Sequence, residues 1–231
     1  MISKITNVAK EYISKSGKTV SAIDGVSFDI NEGDFIAIVG PSGSGKTTLL
    51  STIGCLIQPT RGDVYFNKKK VTQISDKDQC SLRGEHIGFI FQFTYLVSHL
   101  NVLENVLVPL MLVGEEVNDE KKEYAVDLLT RLEMQDKLDY FPKELSGGEI
   151  QRTAIARSLI KKPRLLLADE PTGDLDYHTS QRIFSFFHEL NKKQGTTIVV
   201  VTHNPEFAKY ADDIYRIEKG KVTELVDKSQ L

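Results

Sequence analysis

Apolar and polar positions divide the chain into stretches of different period. Residues 20–30 alternate between the two, the two-residue period of a half-covered strand, and Asn31-Glu32-Gly33-Asp34 supplies a turn after it. Residues 1–34 as a whole read as strand-rich. Phe35-Ile36-Ala37-Ile38-Val39 is a continuous apolar run of strand length, as found where a strand of a mostly parallel sheet is covered on both faces. A glycine-rich loop follows, then a helical segment over about 46–56. Residues 60–91 read as short strands with turns and end in a second apolar run at 87–91. From 101 to about 136 the period becomes helical, with charged faces. Helix begins again near Ser146 and runs to about Lys161, with Pro163 beyond it. Two further strand signals, 165–168 and 196–202, bracket a helix. Residues 214–217, the turn at Lys219-Gly220-Lys221 and a last short strand follow. The order predicts an α/β core with a mostly helical insert at roughly 93–160.

Composition narrows the class of partner. A net charge of −3 provides no basic field for nucleic acid, and the cluster Lys68-Lys69-Lys70 is short enough for a solvated turn. Cys55 and Cys80 stand in no metal or redox spacing. The longest apolar stretch, 102–113, is broken by Glu104, Asn105 and Pro109 and falls short of a membrane span. The expectation is a soluble chain whose contact with a membrane runs through a partner.

Gly40-Pro41-Ser42-Gly43-Ser44-Gly45-Lys46-Thr47 has the spacing G-x-x-x-x-G-K-T, with Thr48 next. Glycines let backbone N–H groups turn inward on phosphate oxygens, and the helix that starts here adds free amides and its positive end. Lys46 is within reach of β- and γ-phosphates, and the Thr47 hydroxyl is a ligand for Mg²⁺. The segment follows an apolar strand and opens a helix, as that chemistry requires. Asp169-Glu170 closes the apolar run 165–168, where the carboxyl end of a parallel strand faces a ligand crevice. Two carboxylates there are either caps of the following turn or a metal ligand (Asp169) beside a general base (Glu170).

Leu145-Ser146-Gly147-Gly148-Glu149-Ile150-Gln151-Arg152 precedes that acidic strand. By itself it is a helix cap with an anion-binding start. Taken with the phosphate loop, it resembles the signature sequence of ABC ATPases. The resemblance covers essentially the whole chain. Gln92 is similar to the family's Q-loop glutamine and Gly173-Asp174-Leu175-Asp176 to its D-loop. His203 is similar to the switch histidine and Tyr12 to the aromatic that stacks on adenine. The resemblance implies a P-loop NTPase core with an N-terminal antiparallel β subdomain and an inserted helical subdomain. It implies one domain over 1–231, with 1–92 and 161–231 as core and 93–160 as the helical signature part. ATP and Mg²⁺ are the implied cofactors. Gly40 to Thr48, Tyr12 and Gln92 hold the nucleotide, while Thr47, Gln92 and Asp169 hold the metal. Glu170 and His203 act in hydrolysis. Ser146, Gly147 and Gly148 would complete the site of a second copy in a head-to-tail dimer. Asp174 departs mildly from the family, which often has a small residue there.

Gly54-Cys55-Leu56, residues 87–92 and 101–106, and Ala168-Asp169-Glu170-Pro171-Thr172-Gly173 further resemble the branch that serves lipoprotein release, macrolide export and antimicrobial-peptide resistance. That branch implies a separate membrane permease, with the chain held at the cytoplasmic face of the membrane. The permease would export or do mechanical work for lipoproteins, peptides or antibiotics. Cell-division ATPases of the same family, or non-transport members, are the alternative. The apolar segment 93–100 after Gln92 is either packing beneath the helical insert or a groove for the permease.

Overall fold

The computed structural model describes residues 1–173 and 175–226. In chain order the strands are β1 (Ser3–Ile13), β2 (Thr19–Ile30), β3 (Phe35–Val39), β4 (Arg61–Phe66), β5 (Lys69–Lys70), β6 (Ile87–Ile90), β7 (Leu165–Asp169), β8 (Thr197–Val201), β9 (Asp213–Glu218) and β10 (Lys221–Leu225). The α-helices are α1 (Lys46–Ile53), α2 (Asp76–His86), α3 (Val102–Leu112), α4 (Asp119–Arg131), α5 (Gly147–Leu159), α6 (Tyr177–Gln194) and α7 (Pro205–Ala208).

Two sheets result. One is antiparallel, in the order β2-β1-β4-β5; the other runs β10-β9-β3-β8-β7-β6. Within the second, β6, β7, β8, β3 and β9 pair in parallel and β10 turns back antiparallel. Every residue of β3, β7 and β8 is buried, which their unbroken apolar runs predict. Successive side chains of a strand point to opposite faces, so each strand feeds two cores. Phe35, Ala37, Val39, Leu166, Ala168, Ile198 and Val200 join the helices α3 to α6 on one face. Ile36, Ile38, Leu165, Leu167, Val199 and Val201 join α1 and the antiparallel sheet on the other. The parallel strands therefore end together at one edge, and the loops after β3, β6, β7 and β8 share a crevice.

The elements differ from the sequence expectation in places with local causes. α2 stands where short strands were expected. Ser75 caps it, accepting from the Asp78 amide at 3.2 Å, and Gln79 is its buried residue. A helix lying so shallowly on the surface has no apolar stripe to betray it. α1 ends at Ile53 rather than near Leu56, because Gly54 lies against Phe89 and Leu167 and Cys55 adopts φ 57°. The helical stretch at 101–136 is two helices. Gly114 at φ 75° ends the first, and Asn118 caps the second through the Lys121 amide.

Candidate nucleotide site

The loop between β3 and α1 is held from behind by backbone. A Cβ on Gly40 would lie 2.2 Å from the Ile217 carbonyl oxygen in β9, and one on Gly45 would lie 2.2 Å from the Ala22 carbonyl oxygen in β2. Gly45 also has φ 105°, a conformation closed to other residues. Both positions require glycine. Gly45 is the N-cap of α1, so no side chain caps the helix, and no acidic residue lies in its first turn. The amides and positive end of α1 are left for an external anion. Lys46 is buried to 8% exposure and donates to the Gly40 and Pro41 carbonyls, 2.9 Å each. The buried Ser44 hydroxyl has no hydrogen-bond partner among the described residues.

A cleft of about 350 Å³ opens over this loop, lined by Ser42, Gly43, Gly45, Lys46, Thr47 and Thr48. Gln92, Asp169, Glu170 and His203 line its far wall, and Ala22 reaches it from β2. Asp169 ends β7 at 5% exposure. Its Oδ1 is buried without a hydrogen-bond partner among the described residues. Burial pushes its carboxyl above the ordinary range, and the Glu170 charge adds to this. The Thr47 hydroxyl bond and Lys46 pull it back. An orphaned carboxylate oxygen beside a hydroxyl and an amide is an all-oxygen donor set that fits a hard divalent cation such as Mg²⁺.

Glu170 follows with φ 47°, in the left-handed region that a side chain rarely enters. Its amide donates to the Val201 carbonyl at 2.9 Å and its carbonyl accepts from the Gly173 amide at 3.1 Å. Its Oε2 lies 2.9 Å from Nδ1 of His203 and accepts from the His203 amide at 3.3 Å. β7 and β8 thus end in a carboxylate and an imidazole in direct contact, both facing the cleft. Glu170 is nearly enclosed while the His203 ring is largely exposed.

Three expected groups stand apart from this cleft. Tyr12 pairs with Val20 across the β1–β2 ribbon, is 44% exposed and has Lys10 Nζ 5.4 Å from its ring centroid. It does not line the cleft. Ser146, Gly147 and Gly148 start α5. Ser146 accepts from the Glu149 amide, while its own amide and hydroxyl donate to Glu149 Oε2 at 2.7 and 2.9 Å. Gly147 lines a neighbouring cleft of about 220 Å³ that shares Gln92 and Glu170 with the first. Of the D-loop segment, Asp174 lies outside the described residues. Asp176 caps α6 through the Thr179 amide at 3.0 Å. The sequence reading missed Ala22, which enters only through sheet pairing. It also gave no role to Gln151, a buried amide of the signature run that lies on the core side of its helix, three and four residues before buried Ala154 and Ile155.

The sequence profile of the ABC transporter family matches residues 23–173, more than half of the chain. The lipoprotein-releasing system ATP-binding protein LolD of Legionella pneumophila (strain Paris) is 43% identical over 203 residues, 88% of this chain and 89% of that protein. The macrolide export ATP-binding/permease protein MacB of Syntrophobacter fumaroxidans is 44% identical over 204 residues, 88% of this chain but 28% of that protein. A dimeric structure of a post-hydrolysis state of the ATP-binding cassette MJ0796, bound to ADP and Pi, superposes with a TM-score of 0.93. Its sequence identity is 37%, and the match covers 98% of this chain and 99% of that one. The profile match over more than half of the chain, with relatives of 43–44% identity and a cassette structure of the same fold, shows that the chain belongs to the ABC transporter family as an ATP-binding ATPase subunit.

Proposed function

We propose that this chain binds MgATP over the 40–48 loop, pairs head to tail with a second copy and drives a membrane permease of the export or mechanotransmission type. The convergence of Lys46, Thr47, Asp169, Glu170 and His203 on one cleft carries the reading. Lys46 exchanges the Gly40 and Pro41 carbonyls for β- and γ-phosphate oxygens, beside the open amides of α1. Thr47, Asp169 and Gln92 would hold Mg²⁺, which when bound neutralises phosphate charge. Glu170 takes a proton from the attacking water while its Oε2 is steadied by His203. The water oxygen bonds to the γ-phosphorus as the bridge to the β-phosphate breaks, and ADP leaves with that electron pair. Tyr12 sits on the β1–β2 ribbon, whose Ala22 reaches the cleft, and its exposed ring is the surface on which a purine would stack.

Ser146, Gly147 and Gly148 lie outside the chain's own phosphate cleft, so they serve the γ-phosphate of a second copy. The segment 93–160 then acts as the helical part that turns against the core of 1–92 and 161–231. No described helix is long and apolar enough to cross a membrane. Phe93 and Tyr95, 71% and 82% exposed beside the Q-loop, offer the surface on which a permease at the cytoplasmic face seats. The relatives named above point to lipoproteins or antibiotics as the cargo class.

The test is the Glu170→Gln variant in MgATP. ATP affinity should persist, a dimer should accumulate on size-exclusion chromatography, and turnover should fall by about 10²-fold or more. Near-normal hydrolysis would remove Glu170 as the base, and a monomer at saturating MgATP would remove the sandwich. Pull-down of this variant from solubilised membranes should bring a permease; ribosomal or DNA-bound partners alone would overturn the transport reading.

A further inference from the structure

Gln151 is a buried polar residue whose role neither the motif nor the fold accounts for. It lies within α5, on the turn after the signature glycines, and is 8% exposed. Its amide nitrogen donates to the Pro171 carbonyl at 3.1 Å and to the Phe91 carbonyl at 3.4 Å. Its Oε1 accepts from the Thr94 hydroxyl, and that hydroxyl also lies 3.2 Å from the Phe91 carbonyl. Both donors and the acceptor of one side chain are thus spent on two loops and on nothing else. Phe91 is the residue before Gln92, and Pro171 is the residue after Glu170.

We propose that Gln151 is a positioning residue that ties the setting of the Glu170 carboxylate to the place of the 91–95 segment. This rests on Glu170 being the base. Glu170 holds φ 47°, and such a conformation persists only where its surroundings over-determine it. Three bonds do so. The Glu170 amide is fixed to Val201, its carbonyl to the Gly173 amide, and the next carbonyl along, that of Pro171, to Gln151. Pro171 has no N–H, so this carbonyl is the one backbone handle at that position. Phe93 and Tyr95 are exposed on either side of half-buried Thr94, so a load on the two aromatics bears on Thr94 and through it on Gln151.

A simple fastener between helix and loop would not need the Pro171 contact. Arg157, farther along α5, shows what a fastener looks like here. Its Nη1 donates to the Tyr95 carbonyl at 2.9 Å, so it holds the same segment from the same helix. No hydrogen bond joins it to the 170–173 turn among the described residues.

The full-length chain tests this with Gln151→Met, which keeps length and removes every hydrogen bond. Steady-state ATPase should show kcat reduced by about 10- to 100-fold, since a displacement near 1 Å at a reacting group has that effect. KM for ATP and Tm should stay close to wild type, a split that separates positioning from general weakening. Backbone hydrogen exchange should quicken at 170–173 in Gln151→Met and stay unchanged there in Arg157→Met, which keeps its kcat. Thr94→Val should lower kcat in the same sense, and the double variant should be no slower than Gln151→Met alone. A kcat near wild type, or a kcat loss that merely tracks a lower Tm and weaker ATP binding, overturns the proposal. So does unchanged exchange at 170–173. If Gln151→Met does not fold, Thr94→Val decides by the same kcat and exchange readings. Normal turnover by Glu170→Gln would instead overturn the base assignment, and the exchange result would be unaffected by it.

Discussion

The two helix starts that can hold an anion, those of α1 and α5, are built on opposite terms. α1 begins at Gly45, with no capping side chain and no acidic residue in its first turn, at the floor of a cleft with Lys46 folded over it. α5 begins at Ser146 and is closed by its own Glu149, whose carboxylate occupies the cap amide and hydroxyl. Hydrogen bonding and the nearby positive charges hold that carboxyl below its ordinary range. The first start is open and waits for a polyanion. The second is stable without one and gains a phosphate only in competition with an internal carboxylate. One chain therefore carries one helix start left open to an anion and one that closes on its own carboxylate.

The largest break in that contrast is Lys46→Ala. ATP affinity should fall by about 10²-fold or more, because a charge-assisted contact to phosphate is lost at the open start. Titration calorimetry reads it, and a Kd close to wild type would mean that α1 is not the seat. Gly45→Ala should cost about 2–3 kcal/mol in urea unfolding, since its Cβ meets the Ala22 carbonyl and its φ is positive. Unfolding at the wild-type midpoint would show that the loop yields.

Asp169→Asn has two effects of opposite sign. A carboxyl whose folded value is raised stabilises the fold fully below its unfolded value, and that contribution is lost as pH rises through the raised one. Nucleotide-free wild-type protein should therefore lose Tm across that window and the variant should not. At neutral pH nucleotide-free Asp169→Asn should be the more stable protein, yet it should need more Mg²⁺ for half-maximal ATP hydrolysis and turn over more slowly. Equal pH slopes of Tm for the two proteins would contradict the burial of this charge.

The smallest effect belongs to the closed start. Ser146→Ala should cost about 1 kcal/mol of stability as a lost cap. It should leave ATP binding by the monomer unchanged and weaken ATP-driven dimerisation by about 10-fold. Weakened ATP binding in dilute monomer would place Ser146 in the chain's own site.

How much of this the sequence disclosed depends on which residues speak through spacing. The phosphate loop and the Asp169-Glu170 strand end were legible because motif, apolar run and strand-to-helix order agree. The pairing of Glu170 with His203 was legible only in kind, since their contact arises from the parallel register of β7 and β8. α2 went unread because its one buried residue, Gln79, is polar; the Ser75 and Asp78 pair was the available sign. Asn105 and Gln151 read as polar interruptions, although Val102 lies three residues before Asn105, and Ala154 and Ile155 three and four residues after Gln151, all on the core side. Both are buried, and Asn105 organises the 97–101 loop through bonds to Val97, Leu100 and Asn101. Such buried polar residues hold a place in the apolar period that a reading of hydrophobic residues alone passes over.

The cage behind the phosphate loop has a consequence for the chain's synthesis. Its walls are backbone of β2, laid down before the loop, and of β9 and the β9–β10 turn, laid down long after it. The Ile217 carbonyl backs Gly40, and the Gly220 amide is bonded to Ser44. A nascent chain emerging from its N-terminal side carries the whole phosphate motif while one wall is still missing. Nucleotide capture by an unfinished subunit is thereby disfavoured, and ATP becomes a ligand of the finished fold rather than of its first half.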